Sequence, residues 1–127
     1  MVVMGGGPMA EALAQAATFV GWNVEMPPGT EATVAIATSL SSIDGIVVTG
    51  HDTEAVGRVL QTALQSRAGY IGSIGPQHLQ EDRADWLAYR GVNDLSRISG
   101  PAGIDIGARS PAEVAISVVA EMIAAQR

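Results

Sequence analysis

The chain of 127 residues contains no cysteine and no lysine. Without cysteine it has no disulfide, no thiolate nucleophile and no Cys-based metal site. Without lysine, Schiff-base chemistry and the phosphate-binding lysine of a Walker-A loop are excluded; all seven basic residues are arginine. No apolar run approaches the roughly 20 residues needed to span a bilayer. The N-terminus has no basic stretch, and Gly5-Gly6-Gly7-Pro8 would break the apolar segment of a signal peptide. The expected location is therefore the cytosol, with which the missing cysteine is compatible.

Thirteen acidic residues against seven basic ones give a net charge of −6. This argues against nucleic acid as a partner, because phosphate backbones are met by basic patches. Hydrophobic residues make up 47% of the chain, enough for a folded core. Residues 1–127 are expected to form one domain.

The opening segment is the most informative. The apolar run Val2-Val3-Met4 breaks into Gly5-Gly6-Gly7-Pro8-Met9-Ala10, and a helix-like stretch follows. A Gly-x-Gly-x-x-Ala turn between a strand and a helix is the layout of a dinucleotide-binding βαβ start. Gly5 permits the tight turn, Gly7 lets the backbone approach a diphosphate, and Ala10 lets helix and strand pack closely. The helix N-terminus offers unpaired N–H groups to an anion. The plain alternative is a strand-to-helix turn without a ligand.

Along the chain, helices are expected over 8–20, 54–66, 77–90 and from Pro111 onward, the last opened by the capping box Ser110-Pro111-Ala112-Glu113. Strands are expected at 2–4, 22–26, 32–38, 44–49 and 69–75. The segment 98–103 reads as irregular and 104–109 as a loop with room for a short strand. Apolar strands alternating with helices predict an α/β fold: a doubly wound, Rossmann-like parallel sheet with helices on both faces. The expected strand order is 3-2-1-4-5, with the switch point between strands 1 and 4, where ligands of such sheets bind.

Three other segments carry candidate chemistry. His51-Asp52 follows the fourth strand; an imidazole there can bond a ligand or move a proton, while Asp52 also suits a helix cap, with Thr53 competing. Gly72-Ser73-Ile74-Gly75-Pro76 resembles a second anion-cradling turn at a helix start, the plain alternative being a tight strand-to-helix connection. Asp105 and Arg109 precede the last helix; Arg109 could clamp a phosphate or carboxylate, and the plain reading is a salt bridge between the two. His78 is expected in solvent. Ser73, His51 and Asp52 can be assembled into a triad on paper, but no Gly-x-Ser-x-Gly elbow positions it, so no catalytic residue is assigned. No His and carboxylate grouping has metal spacing. Beyond the second strand a dinucleotide site carries an acid for the ribose; here Glu25 lies within the strand, and Glu31 follows Pro27-Pro28-Gly29.

From Gly69 to Gly75, and above all over Gly103-Ile104-Asp105-Ile106-Gly107-Ala108-Arg109-Ser110-Pro111-Ala112-Glu113, the chain resembles the C-terminal Rossmann domain of the XdhC/CoxI family. The first Gly loop and Gly50-His51-Asp52 fit the same resemblance. It implies an accessory protein that binds molybdenum cofactor and helps to sulfurate and insert it into xanthine dehydrogenase-type molybdenum hydroxylases. The implied partners are a hydroxylase or a sulfurtransferase, and a homodimer is compatible with the apolar helices. The implied cofactor-binding residues are Gly5, Gly6, Gly7, Pro8, Met9, His51, Asp52, Gly72, Ser73, Gly75, Asp105 and Arg109. Three departures stand out. Pro28 occupies the place of an expected Asp, Pro76-Gln77-His78-Leu79-Gln80 replaces a basic run, and the family's N-terminal domain is expected in another chain or missing. An NAD(P)-binding oxidoreductase domain, with His51 as its catalytic residue, ranks second. An interaction domain without ligand ranks third.

Overall fold

The computed structural model describes residues 1–127. Short runs of β-branched residues make a parallel sheet of four strands: β1 (Val2–Met4), β2 (Gly45–Val48), β3 (Tyr70–Ser73) and β4 (Ile98–Ser99), in that order. One row crosses the whole sheet, pairing Val3 with Val47, Val47 with Gly72, and Gly72 with Ser99. Outside β1, Glu25 makes a single parallel bridge to Val2.

Side chains alternate across the sheet, so each strand feeds two cores. Val2, Met4, Ile46, Val48 and Ile71 face one core; Val3, Val47 and Tyr70 face the other. Helices α2 (Gly29–Ala37), α3 (Thr53–Gln65) and α4 (Gln77–Tyr89) cover the first through Ala37, Val56, Val59, Leu60 and Leu87. Helices α1 (Gly7–Phe19) and α5 (Pro111–Ala125) cover the second through Leu13, Ala115, Val118 and Met122. Both faces of every central strand are thus dry, which is why the strands read as unbroken apolar runs. The α/β, Rossmann-like architecture expected from the sequence is the one observed.

Close packing of helices has a visible local cause. Gly57 of α3 lies against the indole of Trp86 in α4, where a Cβ would come within 2.5 Å of the ring. The Arg90 guanidinium stacks 3.5 Å from the same ring's centre, a cation–π contact.

Three local expectations are corrected. Residues 32–38, expected as a strand from their β-branched alternation, are helical within α2. Thr33 and Ala37, one turn apart, are the buried pair, and Thr33 Oγ1 donates to the Gly29 carbonyl at 2.8 Å. Residues 22–26 contribute only the Glu25 bridge, because Pro27 and Pro28 cannot extend a ladder. The segment 98–103, expected as irregular, supplies the edge strand β4. Residues 104–109 form a loop, as expected, without the optional short strand. The order is therefore Glu25–β1–β2–β3–β4, and the switch point stays between β1 and β2. No helix is long and apolar enough to cross a membrane.

Candidate functional site

The carboxyl ends of β1, β2 and β3 bring three loops to one edge of the sheet. The first is Gly5-Gly6-Gly7. Its entry is set by Thr49, at the end of the neighbouring strand. Thr49 donates its backbone N–H and its hydroxyl to the Met4 carbonyl, at 3.1 and 2.8 Å. Gly5, at φ +112°, passes so close that a Cβ there would overlap Thr49 Oγ1. This is a turn only glycine can make. Gly6 and Gly7 differ: a Cβ on either would meet nothing within 4 Å. Gly6 is the N-cap of α1, and no side chain caps that helix. Pro8 has no N–H to give, so the donors of this first turn are the backbone N–H groups beside it. Gly5 to Pro8 are exposed and Met9 is half-buried. The result is an open, uncapped helix start at the switch point, the arrangement that attracts an anion.

The second loop follows β2. His51 and Asp52 are both exposed. Asp52 is the N-cap of α3 and accepts from Ala55 N at 3.1 Å, so the capping role holds. Of the two acids considered for a ribose, Glu31 is held by Arg58 in a two-pronged pair at 2.7 and 3.2 Å. Glu25 is exposed in its bridge.

The third loop follows β3. Gly72 faces the Tyr70 ring and Ala102 rather than open space, with a Cβ falling 2.8 Å from Tyr70 Cε2. Ser73 is buried, and its hydroxyl is already occupied. It accepts from Arg83 Nη1 at 2.7 Å and donates to Gln80 Oε1 at 2.9 Å. Gln80 Nε2 in turn donates to the carbonyls of Ser73 and Gly75, at 2.8 and 3.1 Å. Gly75, at φ +148°, runs across the Arg83 guanidinium. His78 is exposed, as expected.

Arg83 is a site residue not among those expected from the sequence. In the sequence it lies in a helical series with Leu79, Trp86 and Leu87. That position was itself the signal, because the series is the buried face of α4. Arg83 is 2% exposed and donates to Ser73 Oγ, to the Ile74 carbonyl at 2.7 Å and to the Gly50 carbonyl at 2.8 Å. Burial pushes its guanidinium below the usual arginine value. Beside this network, a groove of about 260 Å³ lies between α4 and the segment leading to β4, lined partly by Leu60, Gln80, Arg83, Leu87 and Ile98.

Asp105 and Arg109 do not form the expected salt bridge. Asp105 Oδ1 accepts from Gly107 N at 3.3 Å. The Arg109 backbone N–H donates to Glu113 Oε1 at 2.8 Å, while Ser110 Oγ accepts from Glu113 N at 3.1 Å. The capping box therefore fixes this loop, and both Asp105 and Arg109 are exposed. Nearby, Glu121 accepts from the Tyr70 hydroxyl at 2.6 Å and from Gly103 N at 3.2 Å. Burial and this carboxylate hold the Tyr70 phenol far above its ordinary range.

Comparison with known proteins follows the same architecture. The family model described as the XdhC Rossmann domain matches residues 1–122. Among solved structures, a crystal structure described as a xanthine dehydrogenase from Bacillus halodurans superposes with a TM-score of 0.80 at 23% identity. The match covers 99% of this chain and 42% of that one, so the chain spans less than half of that protein's length. No curated protein matches.

Proposed function

Because the chain belongs to the XdhC Rossmann-domain family, we propose that it is an accessory factor for molybdenum hydroxylases of the xanthine dehydrogenase type. In this reading it works in the cytosol, takes molybdenum cofactor as cargo, and passes it to a hydroxylase or receives it from a sulfurtransferase. It binds and presents; it does not catalyse. The observation that carries the reading is the first turn of α1. Gly6 and Gly7 leave open space at an uncapped helix start, beside the switch point of the sheet. A pterin phosphate needs such a place: backbone donors, the positive end of a helix and no side chain in the way.

The residues fit one end of this cargo. Backbone N–H groups suit the phosphate. The chain has no thiolate to offer the molybdenum, so the metal end is left for the partner protein. His51, exposed on the neighbouring loop, and Asp105 and Arg109, exposed on the loop before α5, are the side chains assigned to the pterin in this reading.

The test is the melting temperature of the purified chain with molybdenum cofactor, NAD, NADP or FAD at matched concentrations. Ligand at about 100 times its Kd stabilises by about 2.7 kcal/mol, a shift on the order of 10 °C in a domain of this size. A shift with molybdenum cofactor alone is expected. A shift with NAD or NADP instead overturns the reading in favour of a dinucleotide-binding oxidoreductase domain. No shift with any of them leaves a domain that acts only through a protein partner.

A further inference from the structure

We propose that Arg83 builds a second anion-binding subsite, at the ends of β2 and β3, from the peptide N–H groups of His51 and Gly75. It would take a phosphate or carboxylate group of the same ligand. The inference rests on the function proposed above, since it adds a second anionic contact next to the α1 turn.

Arg83 is the one charged side chain in the core, and no carboxylate answers it; the chain's ion pair is Arg58–Glu31, elsewhere. A buried charge without a counter-charge is costly, so what its hydrogen bonds hold in place is the question. All three of its hydrogen bonds end at the sheet edge: on Ser73 Oγ at the end of β3, and on the Ile74 and Gly50 carbonyls of the loops beyond β3 and β2. These loops are neighbours, since Val48 pairs with Ser73 and Ile74 N donates to the Val48 carbonyl at 3.0 Å.

Peptide planarity supplies the next step. The Gly50–His51 and Ile74–Gly75 bonds are trans, so each N–H points opposite to the carbonyl on the same plane. With both carbonyls drawn onto the guanidinium, the N–H groups of His51 and Gly75 are turned away from it. Neither donates to any protein group. His51 is exposed and Gly75 is half-buried. Gly50 and Gly75 hold φ +118° and +148°, backbone that only glycine adopts freely. Arg83 is therefore a positioning residue. It turns two bare donors away from itself and adds a positive charge behind them.

The experiment follows backbone amide shifts of the whole chain by NMR during titration with inorganic pyrophosphate, against sodium chloride at equal ionic strength. Saturable shifts are expected at His51 and Gly75 as well as at Gly6 and Gly7. Arg83→Met should abolish the first pair and spare the second. Arg83→Lys, which keeps the charge but cannot span three acceptors, should weaken binding at least tenfold. Shifts confined to Gly6 and Gly7 overturn the inference and leave the proposed function standing. Shifts nowhere overturn both. Shifts at His51 and Gly75 that persist in folded Arg83→Met overturn the role of Arg83. If Arg83→Met does not fold, the wild-type titration decides the subsite and Arg83→Lys decides the role of Arg83, an affinity equal to wild type overturning it.

Discussion

Thr49 stands where a side chain on Gly5 would have to go. The two residues directly follow adjacent parallel strands, and Thr49 Oγ1 occupies the volume of the missing Cβ while donating to the Met4 carbonyl. The tight exit from β1 is thus enforced from the next strand. The first glycine of the turn serves the fold, and the second and third leave space for a ligand.

Gly5→Ala should therefore destabilise the chain by about 3 kcal/mol, combining an unfavourable positive φ with overpacking. Adding Thr49→Ala removes Oγ1 but leaves the backbone strain. The cost of Gly5→Ala should fall by about 1 kcal/mol in that background, a non-additivity expected of touching residues. Urea denaturation of the four proteins checks this; equal costs in both backgrounds would refute the steric account.

Gly57→Ala should destabilise by about 2 kcal/mol, because the indole of Trp86 fills the space a methyl group would need. Trp86→Leu should relieve much of that loss. Thermal unfolding of the single and double variants is the measurement, and a neutral Gly57→Ala would contradict the packing.

Glu31 carries a pH prediction. The hydrogen bond and charge of Arg58 hold its carboxyl below the usual value. The unfolded chain then takes up this proton at a higher pH than the folded one, so the pair stabilises above the ordinary carboxylate range. That contribution disappears as pH falls through the folded value. The pair is exposed, so the effect is small and weakens with salt. The urea midpoint of wild type should fall more between pH 5 and pH 3, as approximate bounds for a carboxylate, than that of Glu31→Gln. Parallel curves would show that the pair contributes nothing.

Tyr70 behaves in the opposite sense. Burial and Glu121 raise its phenol above the unfolded value, so its stabilisation is present below that value and is lost as pH rises. In a Tyr89→Phe background Tyr70 is the only phenol. Its ionisation, read from ultraviolet absorbance, should then coincide with alkaline unfolding seen by circular dichroism. Ionisation that precedes unfolding would contradict the buried bond to Glu121. Tyr70→Phe should cost about 1 kcal/mol.

Much of this was legible in the residues, for physical reasons that differ by element. Glycines at 5, 21, 75 and 91, and the caps Asp52 and Ser110, punctuate the chain, so α1, α3, α4 and α5 and the strands β1 to β3 fall within a few residues of expectation. Residues 32–38 misled because Val34 and Ile36 are β-branched and alternate with small residues. Their helix is recruited by the tertiary core, where Ala37 is buried and Val34 and Ile36 pack partly. β4 is two residues long and leaves no periodicity to read. At the site, the open Gly6-Gly7 turn showed in the sequence. The occupied hydroxyl of Ser73 did not, because its partners Gln80 and Arg83 reach it only once α4 has packed on the sheet, nor did the grip of Arg83 on two loops, which extends 33 residues back to Gly50.

The most direct test of the account is the affinity of molybdenum cofactor for wild type and for Gly6→Asp, measured by calorimetry alongside stability. Gly6 has the extended backbone of an N-cap, φ −137°, with open space around its Cα, so an aspartate fits and caps α1. The account predicts that Gly6→Asp is at least as stable as wild type, by roughly a few tenths of a kcal/mol, because its carboxylate fills the anion's place. For the same reason it should bind the cofactor at least tenfold more weakly. Equal affinity in both proteins would contradict the claim that the first turn of α1 holds the phosphate.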